Sequence, residues 1–402
     1  MRTFVSLFSG AGGLDLGLEL AGWDCLFATD NEPNAIATLE ANRGFKLGQG
    51  RTFLDQAKVM LADIQRISGP DILSRLGLRK GDVPLLAGGP PCQSWSSGGL
   101  QLGFDDPRGQ LVGQYLRIAS ALEPRWLVFE NVRGLLTARG RDGVPGSALA
   151  AIRGQLFELG WQSKVALLNA ADFGISQRRV RLILVGYRDG DEPDFPVPSH
   201  NERGQAGRKG WSSLRACLGS IEPVADFEIL RPSGKLAEDL KGIRPGSGVK
   251  SPGKREATRP GGHWGYKQGA FVADLDRPAR TVTASSQQDW ILDPERGLRR
   301  LCPRECAAVQ SFPADWRFVG NPAAQYRLIG NAVPPELGRV LGETLELAAA
   351  RQTAAKVKPT VLNPLPEALQ SAISYTMREE HRNGPSRRAA EIRRMPRKVA
   401  AG

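Results

Sequence analysis

The feature that most restricts the fold is a repeating texture over residues 1 to about 187, where short apolar runs alternate with amphipathic stretches and glycine-rich turns. Such alternation is the pattern of strands joined by crossover helices. Thr3 to Phe8 predicts a strand and Leu14 to Ala21 its helix; Cys25 to Thr29 predicts a second strand, followed by a helix that Pro33 opens. Val59 to Ala62, Leu85 to Ala87, Trp126 to Phe129 and Val180 to Tyr187 bring the strands to at least six. The last, Val-Arg-Leu-Ile-Leu-Val-Gly-Tyr, is the strongest of them. The expected fold class is α/β, a doubly wound and mostly parallel sheet with helices on both faces.

From about 190 to 280 the texture changes to Gly, Pro, Ser, Arg and Lys with few long apolar runs, which predicts a separate small module. Helical periodicity returns at Pro303 to Phe312 and after Pro335, where Leu337, Val340, Leu341, Leu345 and Leu347 are expected to share a face. The core therefore resumes. Lys and Arg outnumber Asp and Glu by 54 to 42 in the 402 residues, a formal charge of +12 that favours an anionic partner, nucleic acid first. The last 52 residues carry eleven Lys or Arg against four Glu, +7 of that total. Five cysteines without a CxxC pair and three histidines support neither a disulfide framework nor a metal site, so no metal is expected and a reducing, cytoplasmic setting fits. Gly10, Gly12, Gly13 and Asp15 interrupt the N-terminal apolar stretch, which rules out a secretory signal, and no run of eighteen apolar residues suggests a membrane span.

Four segments carry chemistry. The first strand runs into Phe8-Ser9-Gly10-Ala11-Gly12-Gly13 and then a helix, so main-chain N–H groups face a ligand across positions without side chains. Asp15 stands where a dinucleotide-binding fingerprint has its third glycine, which disfavours a pyrophosphate and favours the sulfonium of S-adenosylmethionine. Asp30 and Asp63, at the ends of the second and third strands, can accept hydrogen bonds from ribose hydroxyls and an adenine amino group respectively. Gly88-Gly89-Pro90-Pro91-Cys92-Gln93 puts a thiol at the carboxyl edge of the sheet, where open α/β folds bind ligands. Cys25, Cys217, Cys302 and Cys306 lack that setting and are expected to be small apolar fillers. Trp126 to Val132 ends in a partly buried Glu130, whose pKa burial should raise. In Gln177-Arg178-Arg179-Val180-Arg181, strand alternation sends Arg179 and Arg181 to one side, either towards substrate oxygens or into a salt-bridged strand end.

In order, these segments resemble the DNA (cytosine-5) methyltransferases: Phe-x-Gly-x-Gly-Gly, Pro91-Cys92-Gln93, Glu130-Asn131-Val132, Gln177-x-Arg179-x-Arg181, Arg304-Glu305 before Gln310-Ser311-Phe312-Pro313, and Gly330-Asn331-Ala332-Val333-Pro334-Pro335. The resemblance spans roughly 3 to 187 and 280 to 345. It implies a methyltransferase fold in four parts: a catalytic and cofactor-binding domain at 1–189, a target recognition domain at 190–280, a return segment at 281–350 and a basic tail, disordered in part, at 351–402. It implies catalytic roles for Cys92, Glu130, Arg179 and Arg181, with Cys92 adding to C6 of a flipped-out cytosine. S-adenosyl-L-methionine would be the methyl donor, held by Phe8, Gly10, Gly12, Asp30, Asp63, Ile64, Pro91, Asn331 and Val333. Gln93, Ser96, Arg108 and Thr281 would meet double-stranded DNA, and the segment from Ser94 to Arg108 would close over the base. Asn31 departs from the family pattern, in which a bulky apolar residue often packs on adenine.

A monomer is the expected form, with a companion restriction endonuclease acting on the same DNA site without stable association. RNA methylation by a tRNA-directed relative is the second reading, and a non-catalytic DNA-binding regulator a third. An amino-methyltransferase is disfavoured because the Asp/Asn-Pro-Pro-aromatic tetrapeptide is absent. The basic tail either adds phosphate contacts or is a solvated end.

Overall fold

The computed structural model describes residues 2–91, 110–188, 192–250, 252–253, 269–351 and 360–383. Its centre is a seven-stranded sheet: β1 (Thr3–Leu7), β2 (Asp24–Asp30), β3 (Lys58–Leu61), β4 (Leu85–Gly88), β5 (Trp126–Val132), β6 (Gln162–Asn169) and β7 (Val180–Tyr187). The spatial order is β3-β2-β1-β4-β5-β7-β6, and all strands run in one direction except β7, which is antiparallel to both of its neighbours, β5 and β6. The order reverses beside β1, so the carboxyl ends of β1, β2, β4 and β5 open onto one crevice.

The strands read as unbroken apolar runs because both faces are covered. Leu85, Ala87, Trp126, Val128, Ile183 and Val185 enter one core layer, while Leu86, Leu127, Phe129, Leu182 and Leu184 enter the other. Helices α1 (Gly13–Leu20) and α2 (Pro33–Ala41) cover the first layer. Helices α3 (Gly69–Leu76), α4 (Gln110–Leu122) and α5 (Ser147–Glu158) cover the second. Val180–Tyr187 matches its sequence reading to the residue. The expected strands omitted Gln162–Asn169, whose Gln, Lys, Ala and Leu residues carry a weak strand signal; it forms because the exposed edge of β7 pairs with it.

The small module carries helices α6 (Leu214–Leu218) and α7 (Gly234–Leu240), after which the chain returns as α8 (Pro303–Val309), α9 (Pro322–Asn331) and α10 (Pro335–Ala350). Helix α10 lies against α1 at a separation that only small residues permit. A Cβ on Gly17 would sit 2.3 Å from the Pro335 carbonyl, and one on Gly342 would sit 2.6 Å from Cβ of Ala21. Leu337, Leu341 and Leu345 are buried there, but Leu347 is 62% exposed, contrary to the expected face. Two residues after Leu345, it lies about 200° further round the helix.

In the small module, Ser247–Gly248, Phe271–Val272, Trp290–Asp293 and Gly297–Arg300 form one sheet over Leu240, Val272 and Trp290. The expected division at 280/281 runs through this sheet. Beyond 351, the expectation of a solvated, partly disordered end does not hold for residues 360–383. Helix α11 (Glu367–Asn383) buries Leu369 in the second core layer, because Leu365, Ala372 and Ile373 join it on one face. No helix among the described residues is long and apolar enough to cross a membrane.

Candidate active site

The crevice at the carboxyl edge is a cavity of about 800 Å³, lined by the ends of β1, β2, β4 and β5, the start of β7, and the return segments 280–284 and 327–333. Its two halves differ in charge. Asp15, Asp30 and Glu32 line one end with Phe8, Leu14 and Ala35; Arg133, Arg178, Arg181 and Arg280 line the other with Glu130.

The acidic half is set by the glycine turn. Phe8 and Gly10 both take positive φ, 56° and 55°, and a Cβ on Gly10 would meet nothing within 4 Å, so the turn leaves open space. Asp30 fixes the turn: Oδ2 accepts the Gly10 N–H at 2.9 Å and Oδ1 accepts the Glu32 N–H at 2.9 Å. Each oxygen retains a lone pair for a ligand hydroxyl. Burial raises the Asp30 pKa against these main-chain donors. Gly12 acts differently from Gly10. It caps α1 in the left-handed conformation, and a Cβ there would strike Leu39 at 2.6 Å, so it serves packing and does not line the cavity. Asn331, Val333 and Pro91 line the cavity as expected. Asp63 and Ile64 do not: the Asp63 carboxylate accepts the Gln65 N–H at 2.9 Å, capping a short 3-10 turn, and Ile64 is buried in the second core layer.

Behind the turn, Asp15 is fully buried, receives the Ser6 hydroxyl at 2.6 Å, and has Oδ2 without a hydrogen-bond partner. Desolvation pushes its pKa up to about 7 from an ordinary 3.8. A carboxyl group whose pKa is raised on folding contributes stability that is complete below about pH 4 and is lost as pH rises through about 7. Asp15→Asn is therefore expected to flatten the fall in stability between pH 4 and 7, by up to about 1.4 kcal/mol per pH unit. Urea midpoints across that range measure it, and parallel curves for the two proteins would refute it.

The set of donors suits a cationic, hydroxyl-bearing ligand. Three carboxylates and no lysine line that end, and Arg327 is paired with Glu32 at 3.3 Å. A pyrophosphate would be repelled, whereas ribose hydroxyls and a sulfonium meet acceptors. The residues fit S-adenosylmethionine.

In the basic half, Glu130 Oε1 lies 3.1 Å from Arg181 Nε, both side chains nearly buried. Desolvation raises the Glu130 pKa, opposed by the charges of Arg181 and Arg179. Gly89 makes room for this carboxyl, since a Cβ there would stand 2.9 Å from Glu130 Oε2. Asn131 donates its amide to the Pro90 carbonyl at 3.1 Å and thereby ties the strand end to the residues that precede Cys92. Cys92, Gln93, Ser96 and Arg108 lie outside the described residues.

Arg179, expected to act in catalysis, also lines the cavity. Its guanidinium is turned to main-chain carbonyls: Val282 at 3.0 Å, and Gly330 and Ala332 at 2.8 Å each. Gln177 and Gln310 extend this clamp, the Gln177 side-chain Oε1 accepting the Val282 N–H at 2.9 Å and its Nε2 donating to Gln310 Oε1. Gly330 is pressed so close that a Cβ would lie 2.1 Å from the Thr283 carbonyl carbon. Thr281 lines the cavity while its hydroxyl donates to the Arg178 carbonyl at 2.8 Å. The clamp partners lie over 100 residues downstream, which no local pattern reveals. Cys25, Cys302 and Cys306 are buried, Cys217 less so, and burial pushes all four thiols up, Cys217 to about 11 and Cys302 to about 12. They are fillers, as expected.

Comparison with known proteins agrees with this architecture. The family model described as C-5 cytosine-specific DNA methylase matches residues 2–346. Type II methyltransferase M1.HphI of Haemophilus parahaemolyticus is 34% identical over 350 residues, covering 85% of this chain and 86% of that protein. Type II methyltransferase M.FnuDI of Fusobacterium nucleatum is 30% identical over 365 residues, covering 85% and 93%. The crystal structure of the S. pombe Dnmt2 methyltransferase superposes with a TM-score of 0.61 at 17% identity, covering 87% of this chain and all of that one, a likeness of fold.

Proposed function

The chain belongs to the C-5 cytosine-specific DNA methylase family, and from this we propose that it methylates C5 of a cytosine flipped out of a specific DNA sequence, through a transient bond between Cys92 and C6. The observation that carries the reading is the Glu130–Arg181 pair in a cavity whose other end is acidic. C5 of cytosine is a weak nucleophile. Addition of the Cys92 thiolate to C6 forms the S–C6 bond and moves the C5–C6 π electrons towards N3, where Glu130 supplies a hydrogen bond or proton. A carboxyl whose pKa is raised by burial is suited to that donation, and Arg181 holds it while facing the O2 edge of the base. S-adenosylmethionine supplies the electrophilic methyl group. A base, such as water, then removes the C5 proton, the C5–C6 double bond re-forms, and the Cys92 thiolate leaves.

Phe8, Gly10, Asp30, Asn331 and Val333 are assigned to the cofactor, Asp30 through its free lone pairs. The small module at about 192–300 is assigned to sequence reading, with Thr281 beside the DNA backbone. The protein works in the cytoplasm, and the Type II naming of its relatives suggests a companion endonuclease for the same site.

The test is bisulfite sequencing of a plasmid from cells expressing the protein, followed by a duplex carrying 5-fluorocytosine at the protected position. Fluorine at C5 cannot leave as a proton does, so a denaturation-resistant protein–DNA adduct is expected; complete conversion of plasmid cytosines overturns the reading. Glu130→Gln is expected to lower the single-turnover rate by about 10²- to 10⁴-fold, since the amide keeps size and hydrogen bonding but cannot transfer a proton. Rapid quench at saturating DNA measures it, and a rate within a factor of two of wild type would remove Glu130 from the mechanism.

A further inference from the structure

The family match ends at residue 346, yet residues 360–383 are built onto the catalytic domain. The Gln162 side chain, at the start of the edge strand β6, takes the Asn363 N–H at 3.0 Å and donates to the Val361 carbonyl. Asn363 donates its amide to the Tyr187 hydroxyl at 2.6 Å, and its carbonyl receives Arg153, a buried residue of α5 that is also bound to Ser163. Beyond Pro366 the chain turns into α11, whose Leu369, Ala372 and Ile373 recur at helical spacing on one face. Ile373 fits over Gly146, where a Cβ would lie 3.0 Å from its side chain.

Helix α11 packs on the 3-10 turn Arg133–Thr137. That turn follows β5 directly, and Arg133, Gly134, Thr137 and Ala138 form part of the cavity wall while Leu135 and Leu136 anchor beneath it. Val132 and Asn131 connect the turn to Glu130, and the Asn131 amide holds the Pro90 carbonyl. We propose that residues 360–383 are a built-in brace, which fixes the Arg133–Ala138 wall and through it the positions of Glu130 and of the Pro90-Pro91 turn that leads into Cys92. The brace gives Leu369 and Asn363 a positioning role in the reaction without contact with substrate or cofactor. Among the described residues, the hydrogen bonds of the brace go to Arg153, Gln162 and Tyr187 and its helix packs on Arg133–Thr137, none of which belongs to the cofactor end of the cavity.

The inference rests on the catalytic assignment of Glu130, so its test has a readout that needs no methyl transfer. Leu369→Asp in the full-length protein buries a charge at the helix contact and should undock α11. Amide hydrogen exchange of the peptide covering 131–138 is expected to accelerate at least about tenfold, while exchange in β1 and β2 stays as in wild type. The single-turnover rate is expected to fall about 10- to 100-fold, as a displacement near 1 Å produces, with the dissociation constant for S-adenosylmethionine within about a factor of two of wild type by calorimetry. Leu369→Met should restore both readouts, and a chain ending at 383 should behave as wild type. Unchanged exchange at 131–138 overturns the brace, as does a parallel loss of cofactor affinity, which would mark general destabilisation. Accelerated exchange with an unaltered transfer rate would overturn the catalytic part alone.

Discussion

Cys92→Ala should reduce methyl transfer to duplex DNA by roughly 10⁴- to 10⁶-fold, the range seen when a covalent nucleophile is removed from a site whose other parts act only in concert with it. Without sulfur at C6, no pair of electrons is available at C5 to attack the methyl carbon and displace the thioether from it. Glu130 and Arg181 would then polarise a ring that stays aromatic. Cofactor affinity is expected to persist, because the acidic end of the cavity holds none of the groups that act on the base. Incorporation of tritium from labelled cofactor into an oligonucleotide duplex measures the effect. Cys25→Ala and Cys306→Ala serve as controls: their thiols are buried and their pKa values raised, so transfer should continue in both. Wild-type incorporation by the Cys92 variant would end the covalent mechanism.

Arg179→Met is expected to cost at least about 3 kcal/mol of folding stability, since three buried carbonyls lose a charged donor at once and each unsatisfied group costs about 1–3 kcal/mol. Val282, Gly330 and Ala332 belong to the segments that close the cavity from the far side. Loss of the clamp should therefore release the return segment as well as lower the urea midpoint. Arg179→Lys should recover only part of the loss, because a single ammonium lacks the planar fork that spans three acceptors. Arg181→Met gives the contrast, with transfer reduced severely and stability changed little, as Arg181 sits at the cavity with Glu130. Equal stability of wild type and Arg179→Met, with activity abolished, would return Arg179 to the catalytic group.

These two arginines also show how far the sequence could be read. Strand alternation predicts both side chains on one side, because a period of two is local, and both line the cavity. Their partners were not local: one faces a carboxylate on the adjacent strand, the other faces carbonyls supplied over a hundred residues later. The buried strands were legible as apolar runs since both faces are covered, whereas edge strand β6, with Gln162 and Lys164, carried too little apolar signal. Gly10 and Gly12 looked alike in the motif, yet one opens the cavity and the other is packed against Leu39. Asp63 follows its strand as expected, and capping of the next turn engages its Oδ1, a local use of the carboxylate that its position in the sequence does not announce. Helix α11 was hidden by composition, its three apolar contacts set among charged and polar residues that suggested a solvated end.

The tight crossing of α1 and α10 sets an order of events during synthesis. Gly17 and Ala21 have no partner until Gly338 and Gly342 have been made, and at about 5–20 residues per second the ribosome needs roughly 15–60 s to supply them. Throughout that interval the face of the first helix that carries Leu14 and Leu18 lacks the cover that α10 gives it, so the catalytic domain completes its core only when translation is nearly over.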